Sequence, residues 1–131
     1  MVSRWIIGKS VIDVGCGNKF ITKCMSVYAT VKGIDIDEDI FKYQNNDVYD
    51  VVTCFDVLEH VDGVYKALEN IKYLCKIGGI IIINQPEQRD ESQPIDNIVS
   101  LNILMKLGKL IYLENYAFSP KESYNFMVFS K

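Results

Sequence analysis

The chain has 131 residues, of which 49% are hydrophobic, and a formal net charge of −3. This length and composition predict one domain, residues 1–131, with a substantial core. The sequence has no Lys- or Arg-rich block and no run near the roughly 20 apolar residues of a membrane span. We therefore expect neither nucleic acid nor a membrane as a partner. The four cysteines form no C-x-x-C pair, so we expect reduced thiols in a cytoplasmic protein.

Strands and helices alternate through the first half of the chain. Residues 9–14 form a short apolar run that ends at glycines, which predicts a buried strand. A helix that opens on this glycine turn is predicted over 18–28, followed by a second strand over 29–37. The β-branched and aromatic residues of 49–56 predict a third strand.

The next predicted helix, over residues 61–75, has the clearest pattern. Its apolar residues recur at steps of three or four, which is typical of one face of an amphipathic helix. They are Val61, Val64, Leu68, Ile71 and Cys75. Gly78 and Gly79 are predicted to end this helix. The apolar run at 80–84 then predicts a fully buried strand.

The last third of the chain begins with a polar segment. Residues 85–94 predict a loop, and 95–108 predict a helix that ends at Gly108. Strands are predicted over 109–118 and 122–131. Only a tight turn separates these two strands, and a parallel connection needs a dozen or more residues. They are therefore expected to form an antiparallel hairpin.

This alternation predicts an α/β fold with an open, mostly parallel sheet, helices on both faces and a C-terminal antiparallel hairpin. Ligands of such sheets bind outside the carboxyl ends of the strands. Gly15, Asp35, Asp56 and Asn84 all lie at or just past predicted strand ends. We therefore expect a binding crevice along that edge of the sheet.

The stretch VIDVGCGNKF, residues 11–20, provides a glycine turn after the first strand. Gly15 and Gly17 permit a tight turn and a close approach of the backbone to a ligand, beside a helix start with free N–H groups. Asp35, at the end of the second strand, can accept hydrogen bonds from ribose hydroxyls. These residues fit any nucleoside cofactor, and the alternative is a tight turn that binds no ligand.

Two residues disfavour a dinucleotide cofactor. Phe20 occupies the last glycine position of the G-x-G-x-x-G dinucleotide fingerprint. Asp13 brings a negative charge to the turn, which suits an ammonium or sulfonium group better than a pyrophosphate. A cap on the following helix is the alternative role for Asp13. These residues make a nicotinamide-dependent oxidoreductase the least favoured of the functions considered.

The sequence resembles the class I S-adenosylmethionine-dependent methyltransferases along nearly its whole length. VIDVGCGNKF resembles their first motif, D-x-G-x-G, and VKGIDID resembles their second-strand acid. YDVVTCFDVLEHV and LCKIGGIIII resemble the motifs that follow, and the form VLEHV is similar to the quinone-pathway O-methyltransferases. The resemblance implies a Rossmann-like fold and S-adenosylmethionine as cofactor, with S-adenosylhomocysteine as product. It also implies methyl transfer to a small-molecule acceptor.

The same resemblance implies which residues hold the cofactor. They are Asp13, Gly15, Cys16, Gly17, Asp35, Ile36, Asp47, Phe55 and Asp56. By this resemblance, the glycine turn lies at the methionine end of the cofactor and Asp35 lies at the ribose. Ile36 would pack on the adenine, and Asp47 is the candidate for an acid that contacts it. The backbone at Phe55 would face the methionine amino group.

The chain departs from this family's pattern in three places. Lys19 stands where many members carry a third glycine. The interval 36–48 is too short for the usual helix and strand, so one edge strand is predicted to be missing. Little chain precedes Lys9, where the family often uses an extension to cover the site. These departures motivate the hypothesis of a homodimer or a partner subunit, and an alternative function: cofactor binding without independent catalysis.

His60 is the only histidine and the candidate catalytic residue, as a general base on a substrate hydroxyl. Its alternative role is structural, at the start of a helix. Asp56, Glu59 and His60 have the spacing i, i+3, i+4 and would share a face if the next helix began early. These three residues are the candidates if a metal ion is used, although none is expected.

Aromatic residues crowd the predicted C-terminal hairpin. They are Tyr112, Tyr116, Phe118, Tyr124 and Phe126. Alternate members should pack on the sheet and helices as part of the core. Some of them could instead line a substrate site or a subunit interface.

Overall fold

The computed structural model describes residues 2–35, 47–88 and 98–131. The strands are β1 Ser10–Val14, β2 Thr30–Ile34, β3 Tyr49–Phe55, β4 Cys75–Pro86, β5 Lys109–Ser119 and β6 Glu122–Ser130. They form one mixed sheet in the order β2-β1-β3-β4-β6-β5. β1 pairs parallel with β2 and β3, and β3 pairs parallel with β4. β6 pairs antiparallel with both β4 and β5.

Helices cover both faces of this sheet. The helices are α1 Ser3–Ile6, α2 Phe20–Met25, α3 Val64–Leu74 and α4 Leu101–Leu104, with 3₁₀ turns at Leu58–His60 and Met105–Leu107. On one face, Leu68 of α3 and Leu104 of α4 pack on buried strand residues such as Ile12. On the other face, Ile6 of α1 and Met25 of α2 pack on the alternate strand positions. Alternation of side chains along each buried strand therefore builds two cores from one apolar sequence.

The predicted fold is confirmed: the sheet is mostly parallel, helices lie on both faces, and the chain ends in an antiparallel hairpin. Among the described strands, β2 is outermost at its edge of the sheet. Any strand encoded by 36–46 would fall outside the described residues. Within the described ranges, no helix is long and apolar enough to cross a membrane.

The register of the parallel strands brings their carboxyl ends together. Val14 of β1 is paired with Ile34 of β2 and with Cys54 of β3. Phe55, at the end of β3, is paired with Asn84 of β4. Residues that directly follow these positions therefore meet along one edge of the sheet, where an α/β fold binds ligands.

Helix α3 ends differently from the sequence prediction. It stops at Leu74, and β4 begins at Cys75 in pairing with Tyr49 of β3. Gly78, with φ +79°, and Gly79 therefore lie inside β4, where the pairing with β3 shifts register. A Cβ at Gly79 would crowd the Asp50 carbonyl oxygen at 2.8 Å, so this close approach of two strands requires glycine.

The predicted helix over 95–108 is shorter in the structure. Its first residues lie outside the described ranges, and helical structure begins at Leu101. Val99 instead runs beside β4: its N–H donates to Oε1 of Gln85 at 3.2 Å, and its carbonyl accepts from Nε2 at 2.8 Å. Gln85 was predicted to start a polar loop, but it is a buried residue of β4. Its polar amide can be buried because it forms hydrogen bonds with the backbone of Val99.

Candidate functional site

The glycine turn folds over the carboxyl end of β2. The backbone N–H groups of Gly15 and Cys16 both donate to the Ile34 carbonyl, at 2.8 and 3.1 Å. Gly15 has φ +76° and Gly17 has φ +47°, so both use the left-handed region that glycine adopts at little cost. Lys19, where many members of the resembled family carry a third glycine, also has a positive φ of 63° and lies directly before α2.

Asp13 lies beneath the turn and is only 2% exposed. Its Oδ2 accepts a hydrogen bond from the Thr22 hydroxyl at 2.7 Å, and its Oδ1 accepts one from the Thr53 hydroxyl at 2.8 Å. Burial raises the pKa of Asp13, while these two hydrogen bonds oppose the rise. Asp13 therefore ties β1 to α2 and β3, and it is not among the residues that line the cavities described below.

A cavity of about 410 Å³ opens beside the turn, which we call the turn cavity. Its walls are Gly15, Asp35, Asp56, Val57, His60, Val61 and Asp62. The structure thus brings together three residues that the sequence placed at strand ends, namely Gly15, Asp35 and Asp56. A Cβ on Gly15 would overlap the side chain of Val57, so the absence of a side chain there shapes this wall.

A second cavity of about 510 Å³ lies next to the first, and we call it the aromatic cavity. Its walls are Val2, Ile21, Phe55, Asp56, Asn84, Tyr116, Phe118, Tyr124 and Phe126. Tyr116 and Tyr124 stack with ring centroids 5.8 Å apart, and Phe118 meets Tyr124 edge-on at 6.5 Å. The hairpin thus lines a cavity with aromatic side chains.

Asp56 lines both cavities and adopts an unusual backbone conformation. Its φ is +53°, which is uncommon for a residue with a side chain and costs about 1 kcal/mol or more. Its N–H donates to the Asn84 carbonyl at 3.0 Å, and its carboxylate Oδ1 accepts from Asn84 Nδ2 at 3.1 Å. Tyr116 in turn donates its hydroxyl proton to Asn84 Oδ1 at 3.0 Å. Two strand ends and the hairpin therefore hold this carboxylate in place.

The environment of Asp56 changes its acidity. Desolvation raises the pKa of the carboxyl, while the Asn84 hydrogen bond and the nearby His60 lower it. Burial also raises the pKa of the Tyr116 hydroxyl, which the charge of Asp56 reinforces and the Asn84 hydrogen bond opposes. The site therefore presents a carboxyl of raised pKa beside a tyrosine that keeps its proton.

The three metal candidates do not converge on one side of a helix. Leu58–His60 is a 3₁₀ turn, and α3 begins only at Val64 after Gly63, which has φ +92°. Glu59 is 2% exposed and is absent from both cavity walls, whereas His60 lines the turn cavity. In the described part of the chain, no group of three or more potential ligand side chains is placed to hold a metal ion.

The remaining candidate residues lie in different places. Phe55 lines the aromatic cavity. Cys16 is half-buried and Gly17 is exposed, and both shape the turn without lining either cavity. Asp47 is exposed and precedes the first residue of β3, so it lies at the opposite end of that strand from Asp56. Ile36 lies outside the described residues.

A family model described as a methyltransferase domain matches residues 7–128. The chain belongs to this methyltransferase family. The match confirms the family that the four sequence motifs indicated, and it spans both the glycine turn and the aromatic hairpin.

Curated relatives of this methyltransferase domain include O-methyltransferases. The ubiquinone biosynthesis O-methyltransferase of Shewanella sp. (strain ANA-3) is 25% identical, in a match that covers 78% of this chain and 53% of the relative. The protein of the same name from Thiobacillus denitrificans (strain ATCC 25259 / T1) is 28% identical, in a match that covers 79% of this chain and 58% of the relative. The chain therefore spans about half the length of the curated relatives it matches.

Solved structures share the fold of this methyltransferase domain. The N-methyltransferase NodS from Bradyrhizobium japonicum WM9 superposes with a TM-score of 0.74 at 13% identity, covering 99% of this chain and 89% of that one. The [4+2]-cyclase SpnF superposes with a TM-score of 0.75, also at 13% identity, covering 99% and 79%. Since these neighbours have names from different reaction classes, the fold alone does not decide the chemistry, and the site must.

Sequence reasoning missed how Asn84 and Tyr116 act together. Asn84 was placed at the ligand-binding edge, but nothing in the sequence paired it with a residue of the hairpin. The signal that could have helped is the register: β6 pairs with both β4 and β5, so Tyr116 and Tyr124 are partners and Tyr124 faces Pro86. That register depends on the sheet order, which periodicity does not reveal.

Proposed function

We propose that this chain is an S-adenosylmethionine-dependent methyltransferase that acts on a small-molecule acceptor. The observation that carries the proposal is the pair of adjoining cavities, one beside the glycine turn and one lined by aromatic rings, with Asp56 in both walls. Methyl transfer requires two molecules to meet in line, and catalysis then depends mainly on their orientation. Membership of the methyltransferase family supports the proposal.

The turn cavity fits the cofactor. It has a volume in the range of small-molecule sites, a glycine at its wall and an exposed carboxylate, Asp35, directly after β2. Asp35 would accept hydrogen bonds from the ribose hydroxyls. The exposed Gly17 and half-buried Cys16 would leave the turn backbone open to the methionine end. When bound, the cofactor supplies a methyl group activated by a sulfonium sulfur.

Asp13 would contribute to this site indirectly. Since both of its carboxylate oxygens accept hydrogen bonds from threonines, it would fix the turn that faces the cofactor rather than contact the ligand. Asp47 is not part of this proposal, because it lies at the other end of β3.

The aromatic cavity suits an acceptor with an apolar ring. Aromatic side chains form most of its wall and favour stacked or edge-on contact with another ring. Relatives with the name ubiquinone biosynthesis O-methyltransferase support an oxygen atom as the methylated position. The cavity volume of about 510 Å³ fits a molecule of drug size rather than a macromolecule.

Calorimetric titration with S-adenosylhomocysteine tests the cofactor assignment. We expect micromolar binding, no binding of NADH, and about tenfold weaker binding for Asp35→Ala, the effect of losing a hydrogen bond to a charged group. Asp47→Ala is the matched control, since it removes an exposed aspartate from the other end of the sheet and should leave the affinity unchanged. Absence of S-adenosylhomocysteine binding, or equal loss in both variants, would contradict the assignment.

A further inference from the structure

The position of Asp56 gives it access to both reactants. Among the described residues, it alone lines both the turn cavity and the aromatic cavity. Its backbone holds φ +53°, and strain of this kind persists only where the surrounding structure enforces it, often at functional sites. In this chain, the Asn84 carbonyl enforces it by accepting the Asp56 N–H at 3.0 Å.

The hydrogen bonds around Asp56 have a defined direction. The ionised Asp56 carboxylate can only accept, so the Asn84 amide turns its NH₂ group towards Asp56 and leaves Oδ1 to accept the proton of the Tyr116 hydroxyl. The Asn84 NH₂ then donates to Oδ1 of Asp56. Within the described part of the chain, Oδ2 of Asp56 has no protein donor. One carboxylate oxygen is thus anchored, and the residue that carries the other lines both cavities.

We propose that Asp56 accepts the proton of the acceptor hydroxyl during methyl transfer, and that Asn84 and Tyr116 are positioning residues for it. The inference rests on the proposed methyltransferase function and adds a residue that carries out its proton transfer. His60 is a less suitable base, because it lines only the turn cavity and is absent from the wall of the aromatic cavity.

The reaction balances with S-adenosylmethionine as the methyl donor and Asp56 as the proton acceptor. The acceptor oxygen forms a new bond to the methyl carbon while the carbon–sulfur bond breaks and its electron pair goes to sulfur. The hydroxyl proton moves to Oδ2 of Asp56 and then leaves to solvent. The products are a methyl ether, a neutral thioether and one proton. A carboxyl of raised pKa is a stronger base than an ordinary aspartate, and general-base catalysis is typically worth about 10²- to 10⁴-fold.

Two phenols of different acidity test the role of Asp56. We use S-adenosylmethionine as donor with 4-methoxyphenol, which is protonated at neutral pH, and 4-nitrophenol, which ionises readily. Asp56→Asn should lower kcat about 10²- to 10⁴-fold for 4-methoxyphenol with little change in KM, and much less for 4-nitrophenol, which needs no base. Asparagine tolerates a positive φ, so this variant should fold. Glu69→Gln, on the exposed face of α3, is the control and should match the wild type.

The pH profile tests the positioning residues. Tyr116→Phe keeps the aromatic wall but frees the Asn84 amide, which weakens a hydrogen bond that lowers the Asp56 pKa. The acid limb of kcat/KM should therefore move to higher pH. Tyr124→Phe removes the neighbouring hydroxyl and should leave the limb in place, whereas His60→Gln removes a group that lowers the pKa of Asp56 and should also move the limb to higher pH. Asp35 and Asp62 share the turn cavity with Asp56 but are common to all of these variants.

The possible outcomes separate the two proposals. If the wild type binds S-adenosylhomocysteine but neither binds nor methylates the two phenols, the role of Asp56 is refuted and the cofactor assignment stands. An equal loss of kcat for both phenols in Asp56→Asn refutes the role as base, and disappearance of the acid limb in His60→Gln assigns the base to His60. If S-adenosylhomocysteine does not bind at all, the proposed function and this inference both fail.

Discussion

Gly15 and Gly17 provide a matched pair of substitutions within one turn. Both have a positive φ, of +76° and +47°, so an alanine at either position meets the same backbone penalty. Their surroundings differ. A Cβ at Gly17 meets nothing within 4 Å, whereas a Cβ at Gly15 overlaps the side chain of Val57, which is 7% exposed. The comparison therefore isolates the packing of the turn against Val57.

The expected losses of stability follow from the backbone penalty and from the contact with Val57. The left-handed backbone costs about 1–2 kcal/mol for a residue with a Cβ, so Gly17→Ala should lower the free energy of unfolding by that amount. Gly15→Ala adds an overpacked contact with Val57, typically about 1–3 kcal/mol more. Replacing Val57 by alanine in the Gly15→Ala background removes the overlapping methyl groups and should recover most of this additional loss.

Urea denaturation of the wild type, Gly15→Ala, Val57→Ala and the double variant forms a double-mutant cycle that measures the interaction directly. We expect a coupling free energy of about 1–3 kcal/mol between Gly15→Ala and Val57→Ala. Equal destabilisation by Gly15→Ala and Gly17→Ala, or additive effects of Gly15→Ala and Val57→Ala, would refute the argument that Val57 closes this wall of the turn cavity.

Two further predictions concern buried polar side chains. The raised folded-state pKa of Asp13 means that protonation of this carboxyl stabilises the folded protein. This contribution to the free energy of unfolding is complete below the unfolded pKa of about 3.9, and it is lost as the pH rises through the folded pKa. Denaturation across pH should show the wild type gaining stability over Asp13→Asn on acidification, and a constant difference would contradict this. Gln85→Ala should lower the free energy of unfolding by about 2 kcal/mol and accelerate hydrogen exchange at the Val99 amide. Gln88→Ala, at an exposed position, should do neither, and an unchanged exchange rate in Gln85→Ala would contradict the prediction.

Much of the fold was predictable because its signals are local. The apolar run before Gly15 predicted β1, and the stripe that includes Leu68 and Ile71 predicted α3, which has both residues buried. Prediction was weaker where tertiary pairing overrides local preference. Gly78 and Gly79 look like a helix end in sequence, but they lie in β4 because pairing with β3 begins at Cys75.

The candidate site was likewise predictable where it depends on local signals and not where it depends on tertiary contacts. Gly15, Asp35 and Asp56 were placed at one edge because parallel strands align their carboxyl ends, and the turn cavity contains all three. Asp13 was expected at the cofactor, but Thr22 and Thr53 reach it from two other elements and bury it. Partners from distant elements are not visible in the spacing of a single motif.

The sequence by itself determined the alternation of strands and helices, the glycine turn and the edge where the site would form, since each depends on neighbours along the chain. The tertiary structure alone decided that the C-terminal hairpin closes a second cavity against that edge. It also decided that Tyr116, through Asn84, holds Asp56 between the two cavities. These contacts join residues 28 and 32 positions apart, so they exist only once the sheet order and strand register are set.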